Sequence, residues 1–156
     1  MVFKEIVKNV IRREGGYVDH PKDPGGETKY GIAKRSHKEE DIKNLTEERA
    51  EQIYYEDYWE PSKTPYLPHD IQETFFDMVV NMGQRRAVKI LQKACNSKKC
   101  NLVVDGLIGK NTIRAAKKID ASRLKVYRIL FYTDLIRRKP DLKVFIVGWI
   151  RRAMEA

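Results

Sequence analysis

Apolar residues in this chain recur every three or four positions and almost never alternate, which commits it to packed helices and leaves little for a sheet. Val2, Phe3, Ile6, Val7, Val10 and Ile11 share one face and predict an amphipathic helix to about Glu14, where Gly15-Gly16 stops it. Residues 17–31, YVDHPKDPGGETKYG, gather Pro, Gly and Asp, so a turn-rich loop or a small hairpin must follow. Beyond it, Asn44-Leu45-Thr46 offers a polar cap to a helix carrying Ala50, Ile53, Tyr54 and Tyr58, which ends at Pro61. Ile71, Phe75, Met78, Val79 and Met82 make the most apolar helix, closed by Gly83. Ala87, Ile90, Leu91 and Ala94 predict another. After an Asp105-Gly106 turn come helices through Ile113 and Ile119, through Leu124 to Leu135 before Pro140, and over the final DLKVFIVGWIRRAMEA. Six or seven helices with almost no strand make a mainly α domain.

With 156 residues, the chain is long enough for one domain with a core of its own. No run approaches the roughly twenty apolar residues that span a bilayer, so no integral membrane segment is expected. The start, MVFKEIVKNVIRREGG, has no continuous apolar stretch, so the expectation is synthesis in the cytoplasm without a signal peptide. Two cysteines, Cys95 and Cys100, are too few for a disulfide framework and read as free thiols. His20, His37 and His69 are isolated, without metal-binding spacing, so neither metal nor cofactor is implied. The formal charge of +9 biases the chain toward polyanions. Its basic residues come as scattered pairs, among them Arg85-Arg86 and Arg151-Arg152, which also suits a solvated helical surface.

Glu14 is the strongest candidate for chemistry, because it ends a helix and opens a glycine-rich loop. A carboxyl partly enclosed by apolar groups, at the negative end of a helix dipole, can stay protonated and donate its proton to a glycosidic oxygen. Glycoside hydrolysis usually needs a second carboxylate or a held water, and Asp23 is the first candidate, with Asp19 and Glu27 behind it. The hydroxyl of Thr28 is placed to fix a water or orient Asp23. On spacing alone these residues equally suit a surface loop that satisfies its own backbone. Tyr30 offers a ring face to a sugar or a buried phenol to the backbone, and the aromatic residues at helical spacing read as core. Asn81 is either a helix cap or a residue lining a cleft.

Glu14-Gly15-Gly16-Tyr17 and Asp23-Pro24-Gly25-Gly26-Glu27-Thr28-Lys29-Tyr30-Gly31-Ile32 together resemble the signature of the glycoside hydrolase 108 family of N-acetylmuramidases. The likeness continues through YYEDYW (54–59), FFDMVVNMG (75–83) and VVDGLIGKNTIRAA (103–116), the last resembling the family's C-terminal peptidoglycan-binding-like region. The family includes phage endolysins and proteins described as secretion activators. The resemblance implies a lysozyme-like helical domain, with a catalytic lobe over 1–67 and a C-terminal helical lobe over 68–156. It implies hydrolysis of the β-1,4 bond between N-acetylmuramic acid and N-acetylglucosamine, with Glu14 as general acid and Asp23 and Thr28 completing a triad. Four residues separate Asp23 from Thr28, one fewer than in the phage lysozymes it is similar to. Tyr30 and Asn81 are the implied substrate contacts. Bacterial peptidoglycan is then the partner, reached at the cell wall or periplasm with the help of a holin or secretion machinery. Two other readings stay open: a catalytically silent peptidoglycan-binding protein and, more remotely, a basic helical nucleic-acid-binding protein, although no nucleic-acid motif is present.

Overall fold

The computed structural model describes residues 2–19 and 26–156. These form seven α-helices and one two-stranded sheet, a mainly α, lysozyme-like fold. The chain divides into two compact units, residues 1–57 and 58–156.

In the first unit, helix α1 (Val2–Glu14) buries Ile6, Val7, Val10 and Ile11, the face its spacing predicted. Gly15 ends it at φ +86°, its N–H donating to the Ile11 carbonyl at 3.1 Å. The segment after it is the small hairpin: β1 (Thr28–Lys29) runs antiparallel to β2 (Ile32–Ala33), with Thr28 opposite Ala33 and Lys29 opposite Ile32. Tyr30 and Gly31 form its two-residue turn, both at positive φ (53° and 77°), the geometry that matches a right-handed strand twist. Helix α2 (Glu47–Tyr54) begins at the predicted cap, where Thr46 Oγ1 accepts from the Arg49 N–H at 3.2 Å. The chain then continues as a π-helical turn, Tyr55–Trp59. His37 Nε2 lies 3.0 Å from Asp57 Oδ2, and Arg49 grips Glu40 at 2.6 Å.

The second unit is a bundle. Helices α3 (His69–Met82) and α4 (Gln84–Asn96) meet at Gly83, whose φ of +84° lets one helix stop and the next begin at the same residue. Helices α5 (Lys110–Ala116), α6 (Ala121–Arg138) and α7 (Ile146–Glu155) follow. Phe75, Met78, Leu91, Ala94 and Leu124 lie in one apolar cluster that includes the buried thiol of Cys95. Both cysteines are free, and burial first, then the neighbouring Cys100, pushes the Cys95 thiol up to about 12. The Asp105-Gly106 turn is held from within: Gln92 Nε2 donates to Asp105 Oδ1 at 2.8 Å while Gln92 Oε1 accepts from the Gly106 N–H at 3.0 Å.

The last segment departs from the expectation of one continuous helix. Residues Pro140–Phe145 form a 3-10 turn, and the α-helix starts only at Ile146. Pro140 supplies no N–H, and none of these six residues is buried, so no apolar face fixes an α-helical register there.

The second unit also contains a buried ionic hub that charge counting alone would place on the surface. Asp77 Oδ2 on α3 sits 2.8 Å from the Arg128 guanidinium on α6 and 3.0 Å from Nε of Arg152 on α7. The Asp77 and Arg128 side chains are both wholly buried. Burial works to raise the Asp77 carboxyl, but Arg152 and Arg128 outweigh it and hold the group below the ordinary aspartate range. Arg152, read from sequence as one of a solvated pair, is thus a structural cation.

Candidate active site

Glu14 occupies the last position of α1, half-buried, with Gly15 and Gly16 exposed beyond it. A side chain at either glycine would meet nothing within 4 Å, so open space borders the acid on that side. On the other side the hairpin turn presses against it. A Cβ added at Gly31 would fall 2.9 Å from Glu14 Cγ and 3.0 Å from Glu14 Cβ, and would collide with the Tyr54 hydroxyl. Gly31 therefore does two things: it adopts a positive φ, and it leaves room for the stem of the glutamate.

Two hydrogen bonds fix this arrangement. The Tyr30 N–H donates to the Gly15 carbonyl at 3.2 Å, tying the turn to the end of α1. The buried Tyr54 hydroxyl on α2 donates to the Tyr30 carbonyl at 2.9 Å, tying the same turn to the second helix. Tyr30 thus satisfies its backbone at both ends while holding φ of 53°, a conformation that a non-glycine residue keeps only where its surroundings impose it. Its ring lies 5.4 Å from Lys29 Nζ.

The structure ties Tyr30 to the end of α1 that carries Glu14 and places Thr28 in the same hairpin. Thr28 is half-buried in β1, exchanging two backbone hydrogen bonds of 2.8 Å with Val18. Asp23 lies outside the described residues. Of its alternatives, Asp19 is exposed beside Tyr17, and Glu27 is half-buried, its carbonyl accepting from the Lys34 N–H at 2.9 Å. Burial, then the charges of Glu27 and Asp19, hold the Tyr17 phenol above its ordinary value. Asn81 belongs to the second unit, exposed at the end of α3, where its Oδ1 accepts from the Tyr132 hydroxyl at 3.1 Å. From sequence Tyr54 reads as a core residue of the second helix and Gly31 only as part of the family signature, so neither is assigned to bracing Glu14. The pair Tyr30-Gly31 between two short polar and apolar segments was the available signal for the turn, whereas the approach of Tyr54 is a tertiary event.

Gly31→Ala is expected to destabilise the protein by about 1–3 kcal/mol, since it combines a disfavoured φ with a collision that Tyr54 or Glu14 must relieve by moving. Thermal denaturation reads the loss. Turnover of peptidoglycan by the folded fraction should fall as well, because the group that moves is the candidate acid Glu14 or its neighbour Tyr54.

A half-buried carboxyl at a helix end, braced by a glycine turn and bordered by open surface, can deliver a proton to a bond laid across it. Among the described residues no cluster of His, Cys, Asp and Glu suits a metal ion, and no helix is long and apolar enough to cross a membrane. The family model described as glycosyl hydrolase 108 matches residues 7–83, and that described as a predicted peptidoglycan domain matches residues 86–154. Among solved structures, the chain is similar to SagA of Brucella abortus, with 32% identity and a TM-score of 0.77 over 98% of this chain and 90% of that one. A search of curated proteins found no match. The fold is lysozyme-like, and the family match is that of a peptidoglycan-degrading glycosidase. The chain belongs to glycosyl hydrolase family 108 and carries that family's peptidoglycan-binding region.

Proposed function

We propose that the chain is an N-acetylmuramidase, cutting the β-1,4 bond between N-acetylmuramic acid and N-acetylglucosamine with Glu14 as general acid. The observation that carries this reading is the placement of Glu14, held between the Gly31 turn and the open surface over Gly15 and Gly16. In this scheme the Glu14 carboxyl gives its proton to the bridging oxygen as the bond to the departing sugar breaks. Asp23 and Thr28 position the water or stabilise the positive charge that develops on the ring. Tyr30 and Asn81 contact the glycan. The polymer lies outside the cytoplasm, so the enzyme acts at the wall or in the periplasm, delivered by a holin or a secretion machinery in an endolysin or secretion-activator role.

Digestion of purified peptidoglycan, with products identified by reducing-end labelling and mass spectrometry, tests the proposal. New reducing N-acetylmuramic acid ends are expected. Reducing N-acetylglucosamine ends would make the enzyme a glucosaminidase, and wall retention without new ends would make it a binding protein.

A further inference from the structure

A cleft of about 850 Å³ opens within the second unit between α4 and α6, and none of the residues assigned to catalysis lines it. Its size falls in the range that holds a small ligand, roughly 300–1,000 Å³. Its walls differ in chemistry. Arg85, Arg86, Lys89 and Lys93 recur along α4 at helical spacing and line one side. Ile90, Leu130 and Phe131 supply an apolar floor, with the Arg86 guanidinium 5.7 Å from the centre of the Phe131 ring.

The α4 cations are only partly compensated: Arg85 acts on Asp105 and Lys93 on Asp134, in neither case within ion-pair distance. Among the described residues, none of the four α4 cations forms an ion pair. The lining carboxylate, Asp134, is already held by Arg137 at 2.8 Å and Arg138 at 2.9 Å. The core side of that helix is supplied by Ala87, Val88, Leu91, Ala94 and Cys95, and not by the cations. Four like charges set side by side repel one another, and an anionic occupant relieves that repulsion.

We infer that this cleft binds the carboxylate-bearing peptide of the wall polymer, so that the second unit recognises the stem peptide and not the sugar chain. The inference rests on the reading that peptidoglycan is the substrate. The glycan strand is neutral where its lactyl groups are amide-linked to peptide, so the carboxylates of the polymer sit on the peptide. Arg and Lys side chains meet carboxylates with charge-assisted hydrogen bonds. The methyl and methylene groups of a short peptide match Ile90, Leu130 and Phe131, where a hydrated phosphodiester backbone would leave the apolar floor unused.

Calorimetric titration of the full chain tests this with three probes: a free acidic stem tetrapeptide, neutral chitotetraose and a short polyphosphate. The tetrapeptide should bind, and Arg86→Gln/Lys89→Gln should weaken it by about tenfold with an unchanged melting temperature, as expected for losing charged hydrogen bonds. Phe131→Ala, a second variant, should also weaken the peptide. Three results would each overturn the inference: no peptide binding, peptide binding indifferent to both variants, or chitotetraose or polyphosphate losing affinity in the variants while the peptide does not. Failure here is separable from failure of the muramidase reading, because peptide binding is measured without any bond being cut. A wild-type protein that binds the peptide but releases no reducing ends removes the catalytic proposal alone.

Discussion

Glu14→Gln is expected to lower the release of reducing ends from peptidoglycan by about 100- to 10,000-fold, the range a positioned general acid contributes. The protein should stay folded. Gln keeps the Cβ and Cγ that rest against Gly31, and position 14 is only half-buried, so the packing of α1 through Val7 and Val10 is untouched. What disappears is the transferable proton. Circular dichroism and melting temperature separate the two effects, and activity within a few-fold of wild type in a folded variant would take the acid's role away from Glu14.

The second large effect is on stability. Asp77→Ala should destabilise the protein by about 3–5 kcal/mol, because it leaves the wholly buried Arg128 charge without its carboxylate and deprives Arg152 of the same partner. Against a total of about 5–15 kcal/mol for a typical domain, that is a large fraction, and it should be plain in the urea midpoint. The same hub sets an acid limit. The folded carboxyl is held below its unfolded value near 3.8, so its contribution is complete at higher pH and is lost as pH falls through the depressed folded value. In wild type the urea midpoint should therefore drop steeply below about pH 4, and in Asp77→Ala this part of the dependence should vanish. A midpoint within experimental error of wild type would show that the hub contributes nothing net.

The contrast between these two sites shows what local sequence signals carry. The end of α1 at Gly15, the cap at Thr46, the closure of α3 by Gly83 and the Asp105-Gly106 turn were all legible, because each is decided by neighbours within a few positions. The candidacy of Glu14 followed from the same kind of signal, a helix end against glycines. The bracing of that acid did not, since Gly31 and Tyr54 reach it through the fold. The hub was illegible for a stronger reason: Asp77, Arg128 and Arg152 come from three helices, and each alone resembles an exposed charge. The π-helical turn at Tyr55–Trp59 was also hidden, because one extra residue in a turn leaves no mark in an apolar spacing judged over so short a stretch. The resemblance to the glycoside hydrolase 108 family is borne out by the chain's membership in it.

Helix α4 carries its core contacts and its cations on different sides, with Ala87, Leu91 and Ala94 inside and Arg86 and Lys93 exposed. Exchanging the charge at an exposed position such as Lys93 leaves the buried side of the helix untouched, so the outer positions are freer to drift than the inner ones. Descendants of such a chain can therefore follow changes in the walls they meet by re-tuning one helical stripe, at little risk to the packed core of the second unit.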